Sequence, residues 1–180
     1  MLSQAHPSGG PDSGSSTGAG GGDTARFMGF MGTHENRVDT KGRVSIPAGF
    51  RAVLRDSAGE GPVKLVLRPS HRFPCVEGWP LREFEKLTPQ VDDLPMFGED
   101  FDNLSTALFA DAHTVESDRE GRIVLPERLA RHAGITEAVS FMGQGKIFAI
   151  WEPGAANRRK LEAAAAMEKR NLALGGRVPA

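Results

Sequence analysis

Two arginines, Arg43 and Arg122, follow the same pattern: Asp39-Thr40-Lys41-Gly42-Arg43 and Asp118-Arg119-Glu120-Gly121-Arg122. Each continues through an alternating stretch, Val44-Ser45-Ile46 or Ile123-Val124-Leu125, into Pro47 or Pro126. Asp39 to Asp118, Gly42 to Gly121, Arg43 to Arg122 and Pro47 to Pro126 are the same 79-residue step. Asp at i with Gly at i+3 is the signature of a type I turn closing a hairpin, the glycine supplying the positive φ of a G1 bulge. The aspartate carboxylate can bond its own turn backbone. That geometry accounts for Asp39, Gly42, Asp118 and Gly121 but not for the arginine that follows. An arginine on a rigid hairpin is a fixed, always-charged fork of donors. It can pair with the turn aspartate, span phosphates, or reach guanine O6 and N7. Spacing alone leaves the ion pair and the nucleic-acid contact equally open.

Other residue types invite other chemistry. His34 and His113 also stand 79 residues apart, but no Cys or carboxylate grouping with ligand spacing accompanies them. They read as polar strand residues carried along by duplication, and no metal or other cofactor is expected. Cys75, between Phe73 and Val76, reads as a small buried hydrophobe rather than a nucleophile. Gly143-Gln144-Gly145 lacks the Walker pattern and precedes a strand, so it reads as a hairpin turn. Asp92, Asp93, Glu99, Asp100 and Asp102 are not spaced as a calcium loop. No nucleophile, base and orienting group fall into a pattern, so an enzyme is not expected.

The elements that must hold the arginines can be read from periodicity. Thr33–Val38 and Arg43–Ile46 alternate as strands on either side of the first turn. Pro47 fits a helix start, and Phe50, Val53 and Leu54 give that helix an apolar face. Lys64–Arg68 and Phe73–Val76 read as strands, and Leu81–Leu87 as a helix after Trp79-Pro80. Thr114–Ser117, Arg122–Leu125, a helix ending at Gly134, Val139–Met142 and Ile147–Trp151 repeat the order. Trp151-Glu152-Pro153 then leads into a helical stretch at 155–173. The expected division is a disordered Gly/Ser-rich extension at 1–26, a first domain at 27–87, a linker with a short helix at 88–110, a second domain at 111–153, and a C-terminal helix and tail at 154–180. Each half is too small to bury a core alone, so the two are expected to pack as a pseudo-dimer within the chain.

Bulk composition narrows the function classes. Apolar residues make up 39% of the 180 and charged residues 25%, with a net charge of −1. Nucleic-acid binding must therefore use a local patch. Copy one has such a patch: Arg37, Lys41, Arg43, Arg51 and Arg55 against Glu35 and Asp39. In copy two, Arg119, Arg122, Arg128 and Arg131 are offset by Glu116, Glu120 and Glu127. A single cysteine, no membrane-length apolar run and no apolar leader place the expected location in the cytoplasm, with no membrane partner.

The run Phe30-Met31-Gly32-Thr33-His34-Glu35-Asn36-Arg37-Val38-Asp39-Thr40-Lys41-Gly42-Arg43-Val44-Ser45-Ile46-Pro47 resembles the first motif of the MraZ family. Glu116–Pro126 and Phe141–Trp151 resemble its second half, and the match covers roughly residues 27–155. The resemblance implies a mostly β fold with short helices (α+β), built as tandem AbrB-like swapped-hairpin β-barrel halves that form an intrachain pseudo-dimer. It implies a DNA-binding transcriptional regulator, commonly a repressor, of the division and cell-wall gene cluster. It further implies a ring-shaped homo-oligomer on direct repeats of its own promoter, associated with the nucleoid. The family motif falls on Asp39 and Arg43, and on Asp118 and Arg122. Arg37, Lys41, Arg119 and Arg51 are then the expected phosphate contacts beside them. An AbrB-like antitoxin or protein-interaction module is the alternative, which the folded second half disfavours. The chain departs from the family pattern in its 1–26 extension, in Glu116 and Glu120, and in the absence of a basic residue in Asp102-Asn103-Leu104-Ser105. The acidic pair predicts that copy one holds DNA harder than copy two.

Overall fold

Short alternating strands build the sheet of each copy, and the two copies solve the problem of an incomplete core by exchanging strands. The structure, a computed structural model, describes residues 28–58 and 61–170. The expected extension at 1–26 and the last residues of the expected tail lie outside them. In chain order the elements are β1 (Thr33–Arg37), β2 (Arg43–Ser45), α1 (Ala48–Ala58), β3 (Lys64–Pro69), β4 (Val76–Pro80), α2 (Leu81–Glu85), α3 (Thr88–Asp92), α4 (Glu99–Phe109), β5 (His113–Glu116), β6 (Arg122–Val124), α5 (Glu127–His132), β7 (Ala138–Gly143), β8 (Phe148–Trp151) and α6 (Pro153–Lys169).

The six-stranded sheet runs β1-β7-β8-β4-β3-β5, antiparallel throughout. Exchanging each strand for its counterpart (β1 for β5, β3 for β7, β4 for β8) reverses this order and leaves it unchanged. The sheet therefore has the symmetry of a two-fold dimer inside one chain. β1 of copy one pairs with β7 of copy two, Thr33 opposite Met142, and β5 of copy two pairs with β3 of copy one, Lys64 opposite Glu116. The remaining pair, β2 and β6, forms a separate ribbon with Val44 opposite Ile123, its own counterpart. Two further bonds obey the same two-fold: Ile46 N to Gly121 O (3.0 Å) and Leu125 N to Gly42 O (2.9 Å).

The architecture is thus mostly sheet with short helices, in two swapped halves, but the sheet is open. β1 and β5 are its edges, and the only backbone bridge from the ribbon toward β1 among the described residues is Val38 to Val44, one residue beyond the strand. Pro47 and Pro126 follow the ribbon strands closely, and a proline has no N–H with which to extend a ladder. The barrel halves implied by the resemblance therefore do not close through hydrogen bonds.

The core lies between sheet, ribbon and the first helix of each copy. Val44 and Ile123, Ile46 and Leu125, Phe50 and Leu129, and Leu54 and Ala133 are counterpart pairs, all buried in one cluster. Phe50 packs edge-on against Phe30 (centroids 5.1 Å) and at a tilt against Phe148 (5.3 Å). Burial of this kind is what anchors the ribbon, because three residues per strand cannot hold a two-stranded sheet alone.

Two sequence expectations shift. The strand expected at Phe73–Val76 runs instead over Val76–Pro80, because Gly78 leaves the space that the Phe148 ring fills. The stretch 88–110, expected as a linker with one short helix, holds two, α3 and α4, and α3 is pinned by Val91 at 3% exposure. The linker helix α4 is fastened to the sheet by Arg68, whose Nη2 donates to Ala107 O (3.0 Å) and Nη1 to Glu77 Oε2 (2.9 Å). Glu152 caps α6, its carboxylate accepting from Gly154 N (2.9 Å) and Ala155 N (2.8 Å), and those amides hold it below the usual glutamate range.

Candidate nucleic-acid interface

The two repeated turns fold alike because each is a closed local circuit. In copy one, Gly42 N donates to Asp39 O (3.0 Å) and Asp39 N to Arg43 O (2.9 Å). Asp39 Oδ1 accepts from Lys41 N (2.9 Å) and Arg43 N (2.8 Å), and Oδ2 accepts from Arg43 Nε (2.7 Å). In copy two the corresponding distances are 3.0, 2.8, 2.9, 2.9 and 2.7 Å. Gly42 and Gly121 have φ of 72° and 78°, the left-handed conformation the bulge demands. The backbone amide of Arg43 lowers the Asp39 pKa most, and that of Arg122 does the same for Asp118.

This geometry joins the two alternatives that spacing left open. The aspartate takes the arginine through Nε and so fixes the direction of the guanidinium. In Arg43, Nη1 and Nη2 make no hydrogen bond among the described residues. The end-on pair of donors remains available for phosphate or a guanine edge. On the ribbon, Val44 and Ile123 point inward at 1% exposure each, so Arg43, Ser45, Arg122 and Val124 share the opposite face. That face carries both arginines about the pseudo-dyad.

The copies differ in charge. Glu120 Oε2 lies 2.8 Å from Arg122 Nη2 as an ion pair without a hydrogen bond, so Arg122 faces two carboxylates, of which Asp118 takes the hydrogen bond. Asp118 foremost, then Glu120 and Asp39, raise its pKa. The counterpart of Glu120 is Lys41, exposed and without an ion pair among the described residues. The basic helix residues of copy two are paired as well, Arg128 with Asp111 (2.9 Å) and Arg131 with Glu127 (2.6 Å). Arg37 is exposed at the end of β1, opposite Ala138, and Arg119 is exposed at the tip of the second turn. Arg119 lines a cleft with Arg55, Gly61, Pro62, Glu116, Ser117 and Asp118.

Arg51 has a structural role that its place in the basic cluster did not signal: its Nη1 donates to Glu120 O (3.0 Å) and braces the second turn. Sequence reasoning also missed Asn36, whose Nδ2 donates to Ser45 O (2.6 Å) and ties β1 to the ribbon. Neither contact has a sequence signal, since both arise only when strands meet. His34 and His113 stand on opposite edge strands of the sheet. Cys75 is buried beside Ala149, Trp151 and Ala156, and burial, with Glu77, pushes its thiol up to about 12, far from thiolate chemistry. No helix among the described residues is long and apolar enough to cross a membrane.

Known proteins match this chain along most of its length. A family model described as "MraZ protein, putative antitoxin-like" matches residues 29–103 and 108–169. A protein named Transcriptional regulator MraZ from Gluconacetobacter diazotrophicus is 54% identical over 134 residues, which are 74% of this chain and 85% of that one. One of the same name from Gluconobacter oxydans is 52% identical over 131 residues, 73% of this chain and 80% of its own. A third, from Rickettsia bellii, is 42% identical over 118 residues, 66% and 77% of the two chains. With two matched segments, and with relatives above half identity covered over four-fifths of their length, the chain belongs to the MraZ family of transcriptional regulators.

Proposed function

We propose that this regulator binds double-stranded DNA sequence-specifically through its ribbon face and represses the division and cell-wall gene cluster from which it is expressed. The observation that supports this reading best is the pair of Asp-to-Nε clamps, which hold two guanidinium groups on one exposed face. In this reading Arg43 is the dominant base contact and Arg122 the weaker one. Lys41, Arg37 and Arg119 set register on phosphates, while Asp39 and Asp118 aim the arginines. The chain is organised as two AbrB-like domains, 27–87 and 111–153, joined by a linker at 88–110. Several copies form a ring-like homo-oligomer in the nucleoid-associated cytoplasmic pool. Neighbouring subunits engage direct repeats of the promoter, and the second box is then bound at high effective concentration.

The test is a salt-titrated binding assay on the DNA upstream of the protein's own coding sequence. Arg43→Ala should weaken binding by about 1–3 kcal/mol, the range for a lost bidentate base contact. Arg122→Ala should weaken it less, and Lys41→Ala should reduce the salt slope by about one. If both arginine variants bind like wild type, the arginines only brace their turns and the reading fails. Band stoichiometry on one, two and three boxes checks the oligomeric part independently.

A further inference from the structure

The ribbon pairs Val44 with its counterpart Ile123, so the two-fold axis of the fold passes through the middle of the arginine face. A face with exact two-fold symmetry would meet B-DNA identically in either orientation. Here the backbone obeys the two-fold and the charges do not. Tip one carries Thr40 and Lys41, tip two Arg119 and Glu120. The second tip is also fastened, by Arg51 to Glu120 O at 3.0 Å, whereas the counterpart of Arg51 is Ala130, which has no side-chain donor.

The consequence for recognition follows from the charges beside the two arginine forks. Nε of both arginines is committed to aspartate, at 2.7 Å in each copy. The fork that remains is Nη1 with Nη2. Nη1 and Nη2 of Arg43 face no carboxylate among the described residues, whereas Glu120 Oε2 stands 2.8 Å from Nη2 of Arg122 as an ion pair without a hydrogen bond and sets a negative charge beside that fork. Two-point recognition of a guanine edge is unopposed at the first hairpin and must displace the Glu120 carboxylate at the second.

We propose that Glu120 is a specificity-determining residue that gives the DNA-reading face a direction. By withholding Arg122 and reversing the charge that Lys41 presents at the two-fold-related position, it makes a single DNA box bind in one orientation. This inference rests on the DNA-binding role proposed above.

The experiment uses the full chain and one box defined by footprinting wild type on its upstream DNA. Affinity and salt slope are measured for wild type, Glu120→Gln and Glu120→Lys, each with and without Arg122→Ala, and for Glu162→Lys as an equal charge change on α6. Glu120→Gln should tighten binding at least about fivefold, the lower end for a gained two-point contact, and the gain should vanish with Arg122→Ala. Glu120→Lys should steepen the salt slope by about 0.9, one added phosphate contact. An iron-chelate cleavage reagent tethered through Thr40→Cys should cut one flank of the box in wild type and both flanks when Glu120→Lys is added. A gain that survives Arg122→Ala, a matching gain from Glu162→Lys, or two-flank cutting by the tethered chain with Glu120 intact overturns the proposal while leaving DNA binding in place. Failure of wild type to bind any upstream duplex overturns the DNA-binding role itself.

Discussion

Alanine at the two bulge glycines should separate backbone geometry from the brace that only one turn possesses. Gly42 and Gly121 have nearly the same φ, so a Cβ pays a similar left-handed penalty at each, about 1 kcal/mol. At Gly42 the new Cβ meets nothing nearer than Leu125 O at 3.9 Å. At Gly121 it would fall 2.1 Å from Arg51 Nη1 and 2.6 Å from its Cδ, so the arginine must swing away and release Glu120 O. Losing that partly exposed hydrogen bond adds about 0.5–1.5 kcal/mol. The expected costs are therefore about 1 kcal/mol for Gly42→Ala and about 2 kcal/mol for Gly121→Ala. Urea unfolding at one fixed protein concentration reads both, and each kcal/mol should also lower Tm by about 2–4 °C in a chain of this size. In an Arg51→Ala background the excess at Gly121 should disappear, leaving a coupling of about 1 kcal/mol. Equal costs for the two glycines, or an excess that survives Arg51→Ala, would refute the reasoning.

The acid limb of stability should depend on the turn aspartates. Their folded pKa values are lowered from the ordinary 3.8, so their contribution is complete above that value and is lost as pH falls through the folded values. Asp39→Asn with Asp118→Asn should therefore flatten the fall in urea midpoint between about pH 5 and pH 2, and an unchanged fall would remove the linkage. Arg68→Met should cost about 3–5 kcal/mol by leaving Glu77 without its buried cation, while Arg68→Met with Glu77→Leu should recover most of it. Unfolding midpoints of the three proteins check this, and a double variant as unstable as the single one would show that the pair does more than neutralise itself.

What could be read beforehand was whatever is local or strictly repeated. The turns follow from Asp and Gly three apart, and the 79-residue step guarantees that both copies use them. The inward faces of the ribbon and of α1 follow from spacing, as Val44, Ile46, Phe50 and Leu54 show. The strand at Val76–Pro80 was hidden because Gly78 and Pro80 look like turn residues, and the Phe148 ring that fills the glycine's space is 70 positions away in sequence. Arg51 looked like one more cation of a basic cluster, for its acceptor at Glu120 belongs to the other copy. The strand exchange came from family resemblance alone; nothing in the alternation of β1 distinguishes β3 from β7 as its neighbour.

That exchange has a consequence for the order in which the protein is made. When the first copy leaves the ribosome, β1 has no β7, β2 has no β6, and β3 has only β4 beside it. β4 likewise has no β8, so the nascent half displays unpaired backbone on all four of its strands until more than a hundred further residues beyond β1 have been translated. Two such halves on neighbouring ribosomes of one messenger offer each other the same complementary edges, because each copy carries counterparts of the strands the other lacks. Completion within one chain is then a race between translation speed and encounter, and α4, which lies between the two copies in sequence and is fastened to β3 by Arg68, favours the intramolecular winner by keeping them close.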